Sequence, residues 1–306
     1  MALPAGKTMR LVRLAAQLLL LFVGGEAIFA TSDAGQPPEY CTVFHHMMKS
    51  AGSTVKALLS KASHQHKMAK PAVCVTGEAR IPACLQAINS SAVIAGCAEL
   101  LRDPLEKAAR NCEYFTVMRN PVDRLVSAFF YCPTDHDVQN RPAKWCGYSD
   151  HETPVTDRLL EFARESWGNK AFRQMTFGLF CPSATFCQQD VPGAPVGIDH
   201  PRGLEILHQV QQVMASYVAV GVMEYWDLSM QLFNARVRSP VPDWNQFRLA
   251  NSGKTSGLRD EVLQWAHMSA DIHQAIGADI LLYTYALAIF RQQTAQSLGT
   301  DWSEPA

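Results

Sequence analysis

Apolar positions along this 306-residue chain fall into two alternating kinds of run. Short runs rich in β-branched and aromatic residues, at 41–45, 72–76, 92–95, 114–118 and 217–222, predict strands. Between and after them, apolar residues recur at three- and four-residue spacing and predict helices over 54–63, 122–131, 156–166, 203–215, 226–237, 258–276 and 280–292. The 258–276 stretch is amphipathic, with its charges on one side. Strand–helix alternation is the signature of an α/β domain, here a single domain at 41–295 with a central, mainly parallel sheet flanked by helices. Residues 31–40 (TSDAGQPPEY) read as a short polar linker, 132–155 as a long loop or lid, and 296–306 as a C-terminal tail. There is no internal repeat.

The first 30 residues differ from the rest. Lys7, Arg10 and Arg13 precede any acidic residue, and an apolar segment follows over 14–30, interrupted by Gln17, Gly24, Gly25 and Glu26. Its dense part, 18–23, suits the short core of a signal peptide, with Ala30 as a small residue at a cleavage point. The alternative is an uncleaved signal-anchor, a single transmembrane segment with its basic flank in the cytosol. Both place the remaining chain in the secretory pathway.

Composition narrows the class. Hydrophobic residues at 48% with 18% charged exclude a disordered chain. With 27 basic and 28 acidic residues there is no global field to attract nucleic acid, so an anion must be bound by a local site. None of the nine cysteines forms a C-x-x-C pair, which argues against a zinc ribbon. In an oxidising lumen Cys132/Cys146 and Cys181/Cys187 are close enough in sequence to clip short loops, whereas Cys74 and Cys97 lie in apolar runs and read as buried. Asn89-Ser90-Ser91 is a glycosylation sequon.

Two strand–loop–helix units carry the candidate chemistry. The first runs from the strand ending His45-His46 into Met47-Met48-Lys49-Ser50-Ala51-Gly52-Ser53-Thr54. Small residues let backbone N–H groups close on an anion, the helix N-terminus adds positive potential, and Lys49 adds a mobile cation. The spacing is not that of a Walker A loop. An ordinary βα turn with an N-capping serine has the same residues. In the second unit the strand EYFTVM ends at Arg119, followed by Asn120-Pro121-Val122-Asp123-Arg124-Leu125-Val126-Ser127. Arg119 sits at a strand carboxyl end, where open α/β sheets bind ligands, and Ser127 lies two helical turns on. A guanidinium suits phosphate bidentately; it also suits a structural salt bridge. Copper is a poor fit for His45-His46-Met47-Met48, because adjacent strand residues point to opposite faces.

The pair K-[ST]-x-G-[ST]-[ST] and R-[ND]-P-x-x-R-x-x-S-A-[FY] resembles the sulfotransferases that use 3′-phosphoadenosine 5′-phosphosulfate (PAPS), and is most similar to their membrane-associated Golgi carbohydrate branch. The similarity continues through Val220-Gly221-Val222-Met223-Glu224 and the run DILLYTYALAIF at 279–290, and so spans about 41–292. It implies a P-loop-kinase-like sulfotransferase fold and a PAPS-dependent transferase that needs no metal. Lys49, with Ser50, Ala51, Gly52, Ser53 and Thr54, would hold the 5′-phosphosulfate; Arg119 and Ser127 would hold the 3′-phosphate. Lys254 and Thr255, in the loop 251–257, are placed like a loop that closes over the cofactor.

The general base departs from the family pattern, since Cys97 stands where many relatives have histidine. Glu99 is the first candidate, Glu78 the second, and His64 and His66 follow. The expected acceptor is a carbohydrate hydroxyl on a glycan, glycoprotein or glycolipid, and Trp and Tyr residues at 145–148 are candidates to stack on a sugar. A protein-tyrosine or small-alcohol sulfotransferase shares the cofactor motifs. A catalytically weak PAPS-binding or lectin-like secretory protein is the non-enzyme alternative, and a nucleotide kinase is disfavoured by the missing Walker spacing. The implied location is the Golgi membrane with a lumenal catalytic domain, or the lumen or exterior if the signal is cleaved.

Overall fold

A computed structural model of the chain describes residues 41–47, 49–65, 72–73, 93–96, 112–131, 147–148, 152–164, 168–175, 203–239, 241, 243–246 and 257–299. All of them belong to one unit, Pro37–Ala306. Its strands are β1 (Thr42–His45), β2 (Ala72–Val73), β3 (Val93–Gly96), β4 (Glu113–Met118) and β5 (Ala219–Val222). They form one sheet in the order β2-β3-β1-β4-β5, and each neighbouring pair is parallel. The helices are α1 (Gly52–Gln65), α2 (Pro121–Phe129), α3 (Val155–Phe162), α4 (Lys170–Met175), α5 (Gly203–Ala215), α6 (Trp226–Arg236), α7 (Gly257–Met268), α8 (Ala270–Ala275) and α9 (Gly277–Leu298). The architecture is α/β, a parallel sheet flanked by helices, as the strand–helix alternation predicts.

Alternation along the strands divides the core into two layers. Phe44, Phe115 and Val117 face one side, where Val55 and Leu59 of α1 and Phe233 of α6 cover them. Met118 and Val220 face the other side, against α4, α5 and α9. A third cluster forms away from the sheet: Leu125 and Phe129 of α2 pack on Phe162 of α3, Val262 of α7 and Ile272 of α8.

Two features differ from the sequence reading. The helix expected over 258–276 is broken at Ser269, whose backbone is extended (φ -82°, ψ 113°) and whose side chain accepts from Ile272 N–H at 3.4 Å. Val262 and Ala266 of α7 and Ile272 and Ile276 beyond the break enter the same cluster, and Ser269 caps the second segment. Helix α4 had no predicted counterpart. Its six residues are too few to show helical periodicity, and it is held from outside through its amide groups.

That anchor is Asp279, fully buried near the start of α9. It pairs with the buried Arg124 of α2, and it accepts from Phe172 N–H at 2.7 Å and Ala171 N–H at 3.2 Å. Its own N–H donates to Asn169 Oδ1 at 3.1 Å, and Asn169 holds a left-handed backbone (φ 54°) to do so. A carboxylate with two backbone donors and a guanidinium is stable in the interior only while every partner stays.

A disulfide joins Cys41 to Cys112, with Cα atoms 4.5 Å apart. It staples the chain just before β1 and β4, whose register begins with Thr42 opposite Glu113. The pairings expected from sequence, Cys132/Cys146 and Cys181/Cys187, lie outside the described residues, as do Cys74, Cys97 and the Asn89 sequon. No described helix is long and apolar enough to cross a membrane; the segment 1–30 lies outside the described residues.

Two outcomes are expected in urea unfolding. Asp279→Ala strands Arg124 and two amides and should cost about 3–5 kcal/mol, whereas Arg124→Met with Asp279→Leu should cost clearly less. Replacing Cys41 and Cys112 by serine reopens a loop of sequence separation 71. It should cost roughly 4 kcal/mol by chain entropy.

Candidate functional site

Strand order decides where loops meet. After β1 the chain returns to β2, on one side; after β4 it continues to β5, on the other. The carboxyl ends of the adjacent strands β1 and β4 therefore flank a topological switch point, where the connections diverge and leave a crevice. Both candidate loops begin there. Arg119 Nη1 donates to the backbone carbonyl of Lys49 at 3.2 Å, so the two loops are in direct contact across 70 residues of sequence.

The first loop is tightly wound. Lys49 (φ 64°) and Ala51 (φ 58°) are left-handed, and Ser50 and Gly52 between and after them are not. Left-handed geometry costs a non-glycine residue about 1–2 kcal/mol. Such alternation of φ turns successive N–H groups towards one concavity, the geometry of an anion nest. Ser50 N–H donates to Met47 O at 3.3 Å and closes the turn. Ser50 Oγ lies within it, the residue 1% exposed and the hydroxyl without a hydrogen-bond partner among the described residues. Leaving a hydroxyl so costs about 1–3 kcal/mol, an expense that a bound acceptor oxygen removes. Helix α1 starts immediately after and has no acidic residue in its first turn, where Thr54 is half-buried.

Gly52 is required by a close approach. A Cβ there would lie 1.7 Å from His46 Cδ2, so the imidazole rests on the bare Cα. Burial and the nearby Lys56 ammonium push the His46 pKa down to about 4, leaving a neutral ring against the loop. His45 points elsewhere, its Nδ1 2.8 Å from Tyr217 Oη in the interior. The two imidazoles diverge, as adjacent strand positions must. Among the described residues no group of three or more His, Cys, Asp or Glu side chains is arranged to hold a metal.

Lys49 reaches away from the turn, its Nζ 3.8 Å from the centroid of the Tyr131 ring. This cation–π contact draws the ammonium onto the face of the ring.

The second loop is built by capping. Asn120 Oδ1 accepts from Val122 N–H at 2.9 Å and Asp123 N–H at 3.4 Å, and Pro121 opens α2. Asn120 N–H donates to Glu224 Oε1 at 2.8 Å, and Tyr283 Oη donates to Glu224 Oε2 at 2.9 Å. Burial and the Glu224 charge hold the Tyr283 phenol well above its ordinary range, so it stays a donor. Glu224 thereby ties the Arg119 turn to α9. Arg119 itself is largely buried, which lowers its pKa; Asp123 and Glu224 oppose that shift, and Arg259 and Arg124 add to it. A guanidinium remains charged regardless. Ser127 is half-buried on α2, one turn beyond Asp123.

No protein-family model matches this chain, and no curated protein sequence matches it.

The structure brings together Lys49, Ser50, Ala51, Gly52 and Arg119, with Thr54 and Ser127 on the first turns and the flank of the two adjoining helices. Ser53 is described only as the second residue of α1; Glu99, Glu78, His66, Lys254 and Thr255 lie outside the described residues, and His64 is described only as part of α1. Three contributors had no assigned role in the sequence reading. Glu224 had a signal, its position at the end of β5; Tyr131 had none, because only tertiary contact places it on Lys49. His46 was visible as a residue, but its packing on Gly52 was not.

The His46 ring makes a pH prediction. Its folded pKa lies below the 6.5 of the free side chain, so the unfolded chain takes up the proton first as pH falls. Stability should be intact above pH 6.5 and fall by up to about 3 kcal/mol as pH drops towards 4. Urea titrations should show this slope flattened in His46→Gln.

Proposed function

We propose that this chain is a PAPS-dependent sulfotransferase of P-loop-kinase-like fold that sulfates a carbohydrate hydroxyl. The observation that carries the reading is the meeting of two anion-suited loops at one switch point, with a partnerless buried Ser50 hydroxyl in one and Arg119 of the other bonded to the Lys49 carbonyl. PAPS carries phosphate groups at two positions of its ribose, and two contiguous cradles suit such a molecule better than either alone. The residues present fit it: hydroxyl, N–H and cationic donors, with no acidic group in the first turn of α1.

When bound, PAPS supplies an electrophilic sulfuryl group: the acceptor oxygen bonds to sulfur while the bond from sulfur to the 5′-phosphate oxygen breaks, its electron pair leaving on the phosphate. The protein's part is positioning and charge stabilisation. Lys49 neutralises negative charge at the first loop, and Ser50 Oγ and the loop N–H groups donate to oxygen there. Arg119 and Ser127 hold the second phosphate and so separate PAPS from a nucleotide lacking it. The acceptor's proton goes to a base, for which Glu99 is the first choice and Glu78 the second. Lys254 and Thr255 complete the cofactor contacts in this reading. The Cys41–Cys112 disulfide supports a lumenal setting, because such bonds persist in oxidising compartments. With the basic, then apolar N-terminal segment it supports a Golgi location for the catalytic domain.

Calorimetry with the desulfated product, 3′-phosphoadenosine 5′-phosphate (PAP), tests the reading. The wild type should bind it, Arg119→Ala should weaken binding by about 10- to 100-fold, and Lys49→Ala should lower turnover with labelled PAPS by roughly 100- to 1,000-fold. A folded wild type that gives no binding heat refutes it.

A further inference from the structure

An acid at the second loop is left without a role by the cofactor reading. Strands β4 and β5 pair in parallel with Met118 opposite Val222, so the residues after them leave the sheet side by side. Arg119 comes directly after β4, and Glu224 lies in the short 3-10 turn Met223–Tyr225 after β5. One Glu224 oxygen accepts from Asn120 N–H at 2.8 Å, and so grips the peptide that joins Arg119 to Asn120. The other accepts from Tyr283 Oη at 2.9 Å, which fixes the carboxylate against α9. Both donors are neutral, an amide and a phenol, so neither cancels the carboxylate's charge. That charge reaches the Arg119 guanidinium. Asp123 also acts on Arg119, and it stands 3.5 Å from His267 Nε2. Arg259 and Arg124 act on the same guanidinium with the opposite sign.

A negative charge beside a guanidinium that takes an anion opposes the binding it adjoins. A hydrogen bond from an amide to a carboxylate is, however, stronger than one to a neutral acceptor, and it holds the loop firmly. We propose that Glu224 is a positioning residue of the second loop with two separable effects: its bond to Asn120 N–H places Arg119 for a phosphate, and its charge loosens the hold on that phosphate. The inference rests on the sulfotransferase reading for the identity of the phosphate; the placement rests on the two hydrogen bonds. A glutamine would supply the same acceptor to Asn120, so the charge is the part of Glu224 that hydrogen bonding does not demand. A transferase must also let go of its spent nucleotide, and product release limits turnover in many enzymes. A fixed negative charge beside the phosphate speeds that step. Glu224 is exposed, so salt screens its charge but not its hydrogen bonds.

The test is calorimetry of PAP and of inorganic pyrophosphate on the full-length chain, at low and at high ionic strength. Glu224→Gln keeps an acceptor for Asn120 N–H and loses the charge. It should bind PAP about threefold more tightly than wild type at low salt, with the gap closing at high salt. Glu224→Ala lacks both and should bind at least about 10-fold more weakly than Glu224→Gln. A purely structural role moves both variants in the same direction. The control Asp243→Asn removes an equal charge beside the last turn of α6, at the amino end of β5, and should bind as wild type does. For whichever anion wild type binds, a Glu224→Gln no tighter than wild type overturns the proposal, as does a Glu224→Ala equal to Glu224→Gln. Should Glu224→Ala not fold, Glu224→Gln against wild type decides. PAP binding with either of those outcomes leaves the cofactor reading standing. Pyrophosphate binding with the expected order of variants, but no PAP binding, upholds Glu224 and refutes the PAPS reading. No binding of either anion by folded wild type refutes both.

Discussion

The buried pair of Arg124 and Asp279 is the constraint on which the rest of the structure hangs. One carboxylate faces Arg124 of α2 and two amides of α4, while its own N–H is bound by Asn169. Three helices, α2, α4 and α9, are thereby fixed in relation to one another. The consequence reaches the site. Arg119, Asn120 and Ser127 belong to the turn and helix that contain Arg124, so the guanidinium that touches the first loop is placed by a charge pair in the interior. A second tie from α9, Tyr283 to Glu224 to Asn120 N–H, holds the same turn from outside.

Stiffness and strain are segregated along the sheet. At the amino ends of β1 and β4 the Cys41–Cys112 disulfide and the paired register keep the strands together. At their carboxyl ends the chain spends that stability on two left-handed residues, a buried hydroxyl without a partner and a histidine held neutral. The left-handed residues and the buried hydroxyl are each unfavourable by about a kcal/mol or more taken alone, in keeping with the way binding sites concentrate local cost that the frame must offset. The strained end is also where parallel α/β sheets bind ligands, for the independent reason that connections diverge there.

Gly52 and Gly147 show how small residues do specific work in this chain. Gly52 leaves room for the His46 imidazole, and Gly147 for the Phe130 ring. The first approach shapes the anion loop; the second brings Tyr148 beside α2. Both glycines lack positive φ, so their role is space and not conformational freedom.

Much of the frame was legible in the chain itself. The five strands were readable as short apolar runs, and β4 and α2 because EYFTVM leads into a proline and a helix period. Lys49, Ser50, Gly52 and Arg119 were readable as candidates because anion chemistry draws on few residue types and strand ends are where they act. What the linear pattern could not contain was any relation between distant segments. Helix α4 is decided by a carboxylate more than a hundred residues away, and the Cys41–Cys112 pairing by strand register. Periodicity records which side of an element is apolar. Which elements lie on either side of it, and so which lysine meets which tyrosine, is set by strand order and by buried polar partners that only the folded chain brings within reach.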